Sequence, residues 1–207
     1  EDRGRGRPAN LKSGELESRV LDAAETLFAD QGFAATSVRQ IADQAEVNPA
    51  LIHYYFKNKK GLLVAVMDRT LLPLANAIGK MKDSGKVSVE DFASLFFNMA
   101  CKHPSLPKLM VREIMMSAGE TRELFIRNYA PHLGGALPGL LASEQARGNV
   151  SQEFEPSAVA LMVLSLCAFP FIARPVAEKS LGVDYSQQGL DDYLSQLRLL
   201  LSKGIQK

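Results

Sequence analysis

Residues 36–62, TSVRQIADQAEVNPALIHYYFKNKKGL, constrain the fold more than any other part of the chain. Ser37 is a good helix N-cap, and Gln40 three residues on completes a capping box. Ile41, Ala42 and Ala45 then give the first helix an inward face, and Ala42 is small enough for a second helix to cross closely. Asn48 followed by Pro49 restarts a helix: a capping side chain, then a ring whose fixed φ suits the first helical position. On this second helix Ile52 and either Tyr55 or Phe56 share one side, and Ala50, His53 and Tyr54 share the other. So short a helix does not persist alone in water. Its inner side must be packed, which leaves the outer side exposed. The spacing predicts a helix-turn-helix, whose second helix enters the major groove of DNA.

The rest of the chain is compatible with that arrangement. Its 207 residues are 46% apolar and 23% charged, a globular balance, and admit one large domain or a small one plus a medium one. Net charge is +1, so affinity for nucleic acid must be local rather than chain-wide. Cys101 and Cys167 lie far apart inside apolar stretches, which predicts two buried thiols in a reducing cytoplasm. The opening EDRGRGRPAN has no initiator Met, as expected of a start that is missing or processed, and no apolar signal-peptide core. Residues 158–173, AVALMVLSLCAFPFIA, are apolar on all sides. They fall short of the roughly 20 residues of a bilayer span, and Pro170 interrupts them. A helix buried between the core and a partner subunit is the expectation, with no membrane partner.

Residues 1–13 read as a basic arm. Val20, Leu21, Ala24, Leu27 and Phe28 recur at helical spacing over 15–30, and Gly32 supplies a stop. Asn58 caps a helix starting near Lys59, with Leu62, Leu63, Val66 and Met67 inward and a bend near Pro73. A polar linker over 82–88 follows. Helical patterns then cover 89–101, a segment from Pro104 to 118, 120–129, 137–147, 157–177 and 190–203. No stretch alternates at period two, so the class is all-α with about nine helices. The expected organisation is a flexible arm (1–13), a three-helix DNA-binding domain (14–60) and a larger helical domain (61–207).

The block IADQAEVNPALIHYYFKNKKGLL, preceded by LFADQGF and ATSV, resembles the DNA-binding domain of the TetR/AcrR family of bacterial repressors over residues 15–65. The matching features are Ala42 and Ala45, Val47 after the turn, the run Tyr54-Tyr55-Phe56, and Lys59. The resemblance implies a C-terminal domain that binds a small molecule and dimerises. It implies a homodimer on a near-palindromic operator, with reading heads about 34–36 Å apart, held by the last two helices packed with their copies as a four-helix bundle. A ligand in the C-terminal domain would move the helix after Lys59 and release the operator. Two positions depart from the family pattern. Glu46 stands where Gly is usual, at a cost of about 1–2 kcal/mol, which predicts a slightly remodelled turn. His53 stands where Tyr is common, which predicts a different sequence preference.

Individual DNA-contact candidates follow. Arg39 suits guanine in the major groove. Asn48, Pro49, Ala50 and Leu51 open the second helix, where base edges or a thymine methyl come close. His53 and Tyr54 face outward; by resemblance Tyr54 and Tyr55 touch backbone or bases, with a partly core role the alternative for Tyr55. Thr36, Ser37 and Lys59 are candidate phosphate anchors. Arg5 and Arg7, in RGRGRP, suit a narrow minor groove, or form a basic tail that raises affinity and salt sensitivity.

Phe92, Phe96, Met99, Met110, Met115, Phe125, Tyr129, Met162 and Phe169 read either as ordinary core or as an adaptable lining for an apolar ligand. His103 and Arg112 are candidate polar contacts for that ligand. Three histidines and two cysteines are too scattered for a metal site. No phosphate loop, nucleophile elbow or metalloprotease helix occurs, so neither a cofactor nor an enzyme is expected. Two other readings stay open: a DNA-binding regulator without an inducer, controlled by a protein partner or its own abundance, and a helical ligand-binding protein or enzyme. A filled C-terminal core favours the first. DNA binding unaltered by Arg39→Ala and Tyr54→Ala favours the second.

Overall fold

The computed structural model describes residues 13–84, 88–116 and 119–204. The chain divides into two compact units, Glu1–Met67 and Asp68–Lys207. The first holds α1 (Ser13–Gln31), α2 (Val38–Ala45), α3 (Pro49–Phe56) and the start of α4 (Lys59–Ser84). Val20, Ala24 and Phe28 of α1 are buried at helical spacing, as the apolar periodicity requires. Gly32, at φ 89°, ends α1 in the left-handed conformation that costs glycine nothing. Phe33 then folds back against Phe28, with ring centroids 5.5 Å apart.

Asn58 caps α4 by accepting the Gly61 N–H at 2.8 Å. Gly61 is obligatory, because a Cβ there would collide with the carbonyl oxygen of Phe56. The two compact units divide between Met67 and Asp68, within α4. Leu62, Leu63, Val66 and Met67 are all buried, and these first turns of α4 belong to the first unit.

The second unit contains the remainder of α4, then α5 (Val89–Lys102), α6 (Leu106–Met110), α7 (Glu120–Asn128), α8 (Leu137–Ala146), α9 (Pro156–Ser180) and α10 (Gln187–Gly204). Ser88 caps α5 by accepting the Asp91 N–H at 3.0 Å. A single π-helical turn, Val111–Met115, extends α6. Two short 3-10 turns, Ala130–His132 and Gly134–Ala136, precede α8. The described residues thus form ten α-helices, close to the nine expected.

α9 packs on α5 and α8, and α10 packs on α5. At 25 residues α9 outruns the sixteen apolar residues read from the sequence, and by length and composition alone both it and 59–83 could cross a membrane. Its inner side nevertheless carries core residues Val159, Val163, Cys167 and Phe171. Pro170 lies inside this helix and has no N–H, so the carbonyl of Leu166 loses its helical partner. Tyr193 of α10 fills the vacancy, donating its hydroxyl to Leu166 O at 2.8 Å. Its ring stacks on Phe97, with centroids 5.2 Å apart. Tyr185 similarly donates to Pro170 O at 2.6 Å. Cys167 is fully buried beneath them, and burial pushes its thiol up to about 12. Cys101 is only half-buried, so one of the two expected buried thiols is partly accessible.

Candidate nucleic-acid interface

The capping box at the start of α2 is complete. Gln40 N–H donates to Ser37 Oγ at 3.2 Å, and Ser37 N–H donates to Gln40 Oε1 at 2.7 Å. Ile41, Ala42 and Ala45 are buried against the neighbouring helices α1 and α3. Glu46 itself adopts the left-handed conformation, φ 55° and ψ 44°, donating its N–H to the carbonyls of Ala42 and Asp43. Its carboxylate meets Arg19 of α1 at 2.7 Å. An exposed pair of this kind returns roughly 0.2–1 kcal/mol, part of what the backbone conformation costs.

In α3, Asn48 accepts the Ala50 N–H at 2.9 Å and Pro49 occupies the first turn. Ile52 and Phe56 are buried, so Phe56 rather than Tyr55 completes the inner side. Pro49, Ala50 and His53 are exposed, and Tyr54 is 79% exposed. Leu51 and Tyr55 are half-buried, with Tyr55 set edge-on to Tyr54 at 5.2 Å between centroids. Arg39 lies exposed on α2. The outer face of α3 therefore presents an imidazole and a phenol beside small residues that permit close approach.

Two expected phosphate anchors have other duties. Thr36 is 1% exposed, and its hydroxyl donates to Gly32 O at 2.7 Å. Lys59 turns inward: its ammonium donates to the carbonyls of Phe33 and Thr36 at 2.7 Å each and of Ala34 at 3.3 Å. It also lies 4.5 Å from the Phe33 ring centroid. An ammonium has three donors, and all three are committed. Ser37 and Asn48 are exposed but serve as caps. Arg5 and Arg7 lie outside the described residues.

The sequence reading missed Lys57. Its backbone takes a positive φ of 65°, and its N–H closes α3 on His53 O at 3.0 Å. Asn58 N–H then donates to Phe56 O at 2.7 Å, a tight γ-type reversal that is uncommon and strained. Lys57 is exposed at the end of α3. The run KNKK was its signal, of which Asn58 was singled out as a cap and Lys59 as a phosphate anchor.

The eleven residues considered for a ligand lining differ widely in burial. Phe92 is buried and stacks on Phe96 at 6.2 Å. Tyr129 is buried, stacks on Phe125 at 6.0 Å and donates its hydroxyl to Asp68 at 2.6 Å. Burial first, then the Asp68 carboxylate, raise the affinity of Tyr129 for its proton. Met99, His103 and Met110 are half-buried. Arg112 and Met115 are exposed, and Met162 and Phe169 are each 63% exposed on α9. For Met162 and Phe169 the reason is that helical periodicity does not reveal which side of an all-apolar helix faces the core, while Arg112 and Met115 lie on the π-helical turn after α6. Two open grooves border α10, and neither contains any of the eleven.

A family model described as bacterial regulatory proteins, tetR family, matches residues 20–66. A second, described as tetracyclin repressor-like, C-terminal domain, matches residues 86–199. The chain is 23% identical over 193 residues to the HTH-type transcriptional repressor NicS of Pseudomonas putida, covering 91% of each chain. It shares its fold with the fatty acid degradation regulator FadR from Bacillus halodurans, at TM-score 0.67 and 20% identity over 94% of this chain and 98% of that one. NalD of Pseudomonas aeruginosa, the secondary repressor of the MexAB-OprM multidrug efflux pump, aligns at TM-score 0.65 and 18% identity over 95% and 99% of the two chains. With a reading helix held from one side and a matched C-terminal half, the chain belongs to the TetR family of DNA-binding transcriptional regulators.

Proposed function

We propose that this chain represses transcription as a homodimer, seating α3 of each copy in successive major grooves of a near-palindromic operator. The observation that carries the reading is the split character of α3: Ile52 and Phe56 are buried while His53 and Tyr54 stand in solvent. Arg39 supplies a guanine-reading group beside it, and Lys57 a phosphate contact at its end. Repression is the activity named for the Pseudomonas putida relative.

Exposed Leu161, Met162, Phe169 and Val176 of α9, with Leu199 and Leu200 of α10, support self-association through the last two helices. Such an apolar surface is a burden on a monomer and an interface in a dimer. The protein acts where its DNA is, in the cytoplasm. Small-molecule control of operator release is the accompanying reading. The burial of Phe92 and Tyr129 favours a second reading, in which abundance or a protein partner sets occupancy.

Gel shifts on the DNA flanking its own gene, across a salt series, test the proposal. The expected result is a sequence-preferring complex of two chains per duplex. Arg39→Ala and Tyr54→Ala should weaken it without changing the melting temperature. Binding equal to that on random duplex, or unchanged in both variants, refutes it.

A further inference from the structure

His53 sits in the middle of the exposed side of α3, and one of its ring nitrogens is already engaged. Nδ1 lies 3.3 Å from the carbonyl oxygen of Lys57. A carbonyl carries no proton, so Nδ1 is the donor in this contact. In the neutral ring the second nitrogen, Nε2, is then a bare acceptor. It makes no hydrogen bond among those found for the described residues, and the side chain is exposed.

The contact exists because the chain reverses at Lys57. In an uninterrupted helix the carbonyl four residues on points along the axis toward the C-terminus, away from residue i. The positive φ at Lys57, and the Asn58 N–H bond back to Phe56 O, end the helix and turn that carbonyl toward His53. Gly61 permits the reversal, since any side chain there would strike Phe56 O. The strained junction therefore favours the tautomer of His53 that carries its proton on Nδ1.

We infer that His53 is a specificity-determining residue that accepts, through Nε2, a hydrogen bond from an exocyclic amine in the major groove: N6 of adenine or N4 of cytosine. Guanine and thymine offer only acceptors at the matching positions, so they face the lone pair of Nε2 unfavourably. A tyrosine at this place would bring a hydroxyl able to donate or accept, and with it less discrimination. The inference rests on α3 facing the groove, as proposed above.

The test begins with selection of binding sites by the intact wild-type protein from a randomised duplex pool about three helical turns long. Affinities are then measured for single-base variants of the enriched site. The expected result is one position per half-site that demands adenine or cytosine. At that position a base analogue lacking only the exocyclic amine lowers affinity about 5- to 100-fold. His53→Ala becomes indifferent there while keeping its preferences elsewhere, and His53→Lys, a donor, shifts the choice toward guanine.

Three outcomes overturn the inference while leaving the functional reading intact. They are a wild-type preference for guanine at the position that His53→Ala relaxes, full discrimination retained by His53→Ala, and a uniform loss across all sequences, which marks a phosphate contact. A pool that yields no enriched sequence overturns the functional reading and the inference together.

Discussion

Replacing Lys59 by methionine separates two roles that a basic residue after a reading helix can play. Methionine keeps an apolar stem of similar length and removes the ammonium, with its charge and its three donors. The structure gives the ammonium two short bonds at 2.7 Å, to Phe33 O and Thr36 O, and a seat 4.5 Å from the Phe33 ring. Hydrogen bonds to a charged group contribute about 1.5–3 kcal/mol each, and a partly exposed cation–π contact about 0.5–1 kcal/mol. The site is half-buried, so water recovers part of the loss, and a net cost of about 2–3 kcal/mol remains. For a chain of this size that lowers the melting temperature by roughly 5–10 °C, read by circular dichroism. DNA affinity measured well below the transition should stay within about twofold of wild type, with the same salt slope. A phosphate anchor would behave in the opposite way. Its loss leaves melting untouched and flattens the plot of log affinity against log salt by about 0.9 per reading head. That pattern would refute the inward-facing strut.

Three further outcomes are expected. Tyr193→Phe keeps the stack on Phe97 but orphans Leu166 O, and should cost about 1–3 kcal/mol in chemical denaturation. Glu46→Gly relieves the left-handed strain and loses only an exposed ion pair, so a net gain of about 0.5–1 kcal/mol is expected by the same assay. Cys167 has a folded pKa raised from 9.0 to about 12, so its contribution to stability is complete at neutral pH. It is lost as pH rises from the first value to the second, because the unfolded thiol ionises before the folded one. Cys167→Ala should lower stability at pH 7 and flatten that alkaline decline, measured as denaturation midpoint against pH.

What could be read from the sequence was mostly local. The capping box of Ser37 and Gln40, the Asn48-Pro49 restart and the Gly32 stop each involve groups a few residues apart, so residue type and spacing suffice. The destiny of Lys59 was not legible, because its carbonyl partners lie 23 to 26 residues away in the chain. The partners of Glu46 were hidden for a related reason. A propensity penalises a left-handed glutamate, but the N–H bonds to Ala42 O and Asp43 O and the reach to Arg19 depend on the finished turn. In α9 the difficulty was symmetry. With apolar residues on every side, nothing in the pattern distinguishes Cys167, which is buried, from Phe169, which is exposed. The proline-made vacancy at Leu166 O could be anticipated from Pro170, but not that Tyr193 would fill it.

The two-sided construction of α3 also bears on how such a regulator changes over time. His53 and Tyr54 contribute nothing to the interior, so exchanging them leaves the scaffold intact, whereas Ile52 and Phe56 have little freedom to vary. Descendants of one ancestral chain can therefore drift to new binding sequences by single steps without passing through unfolded intermediates.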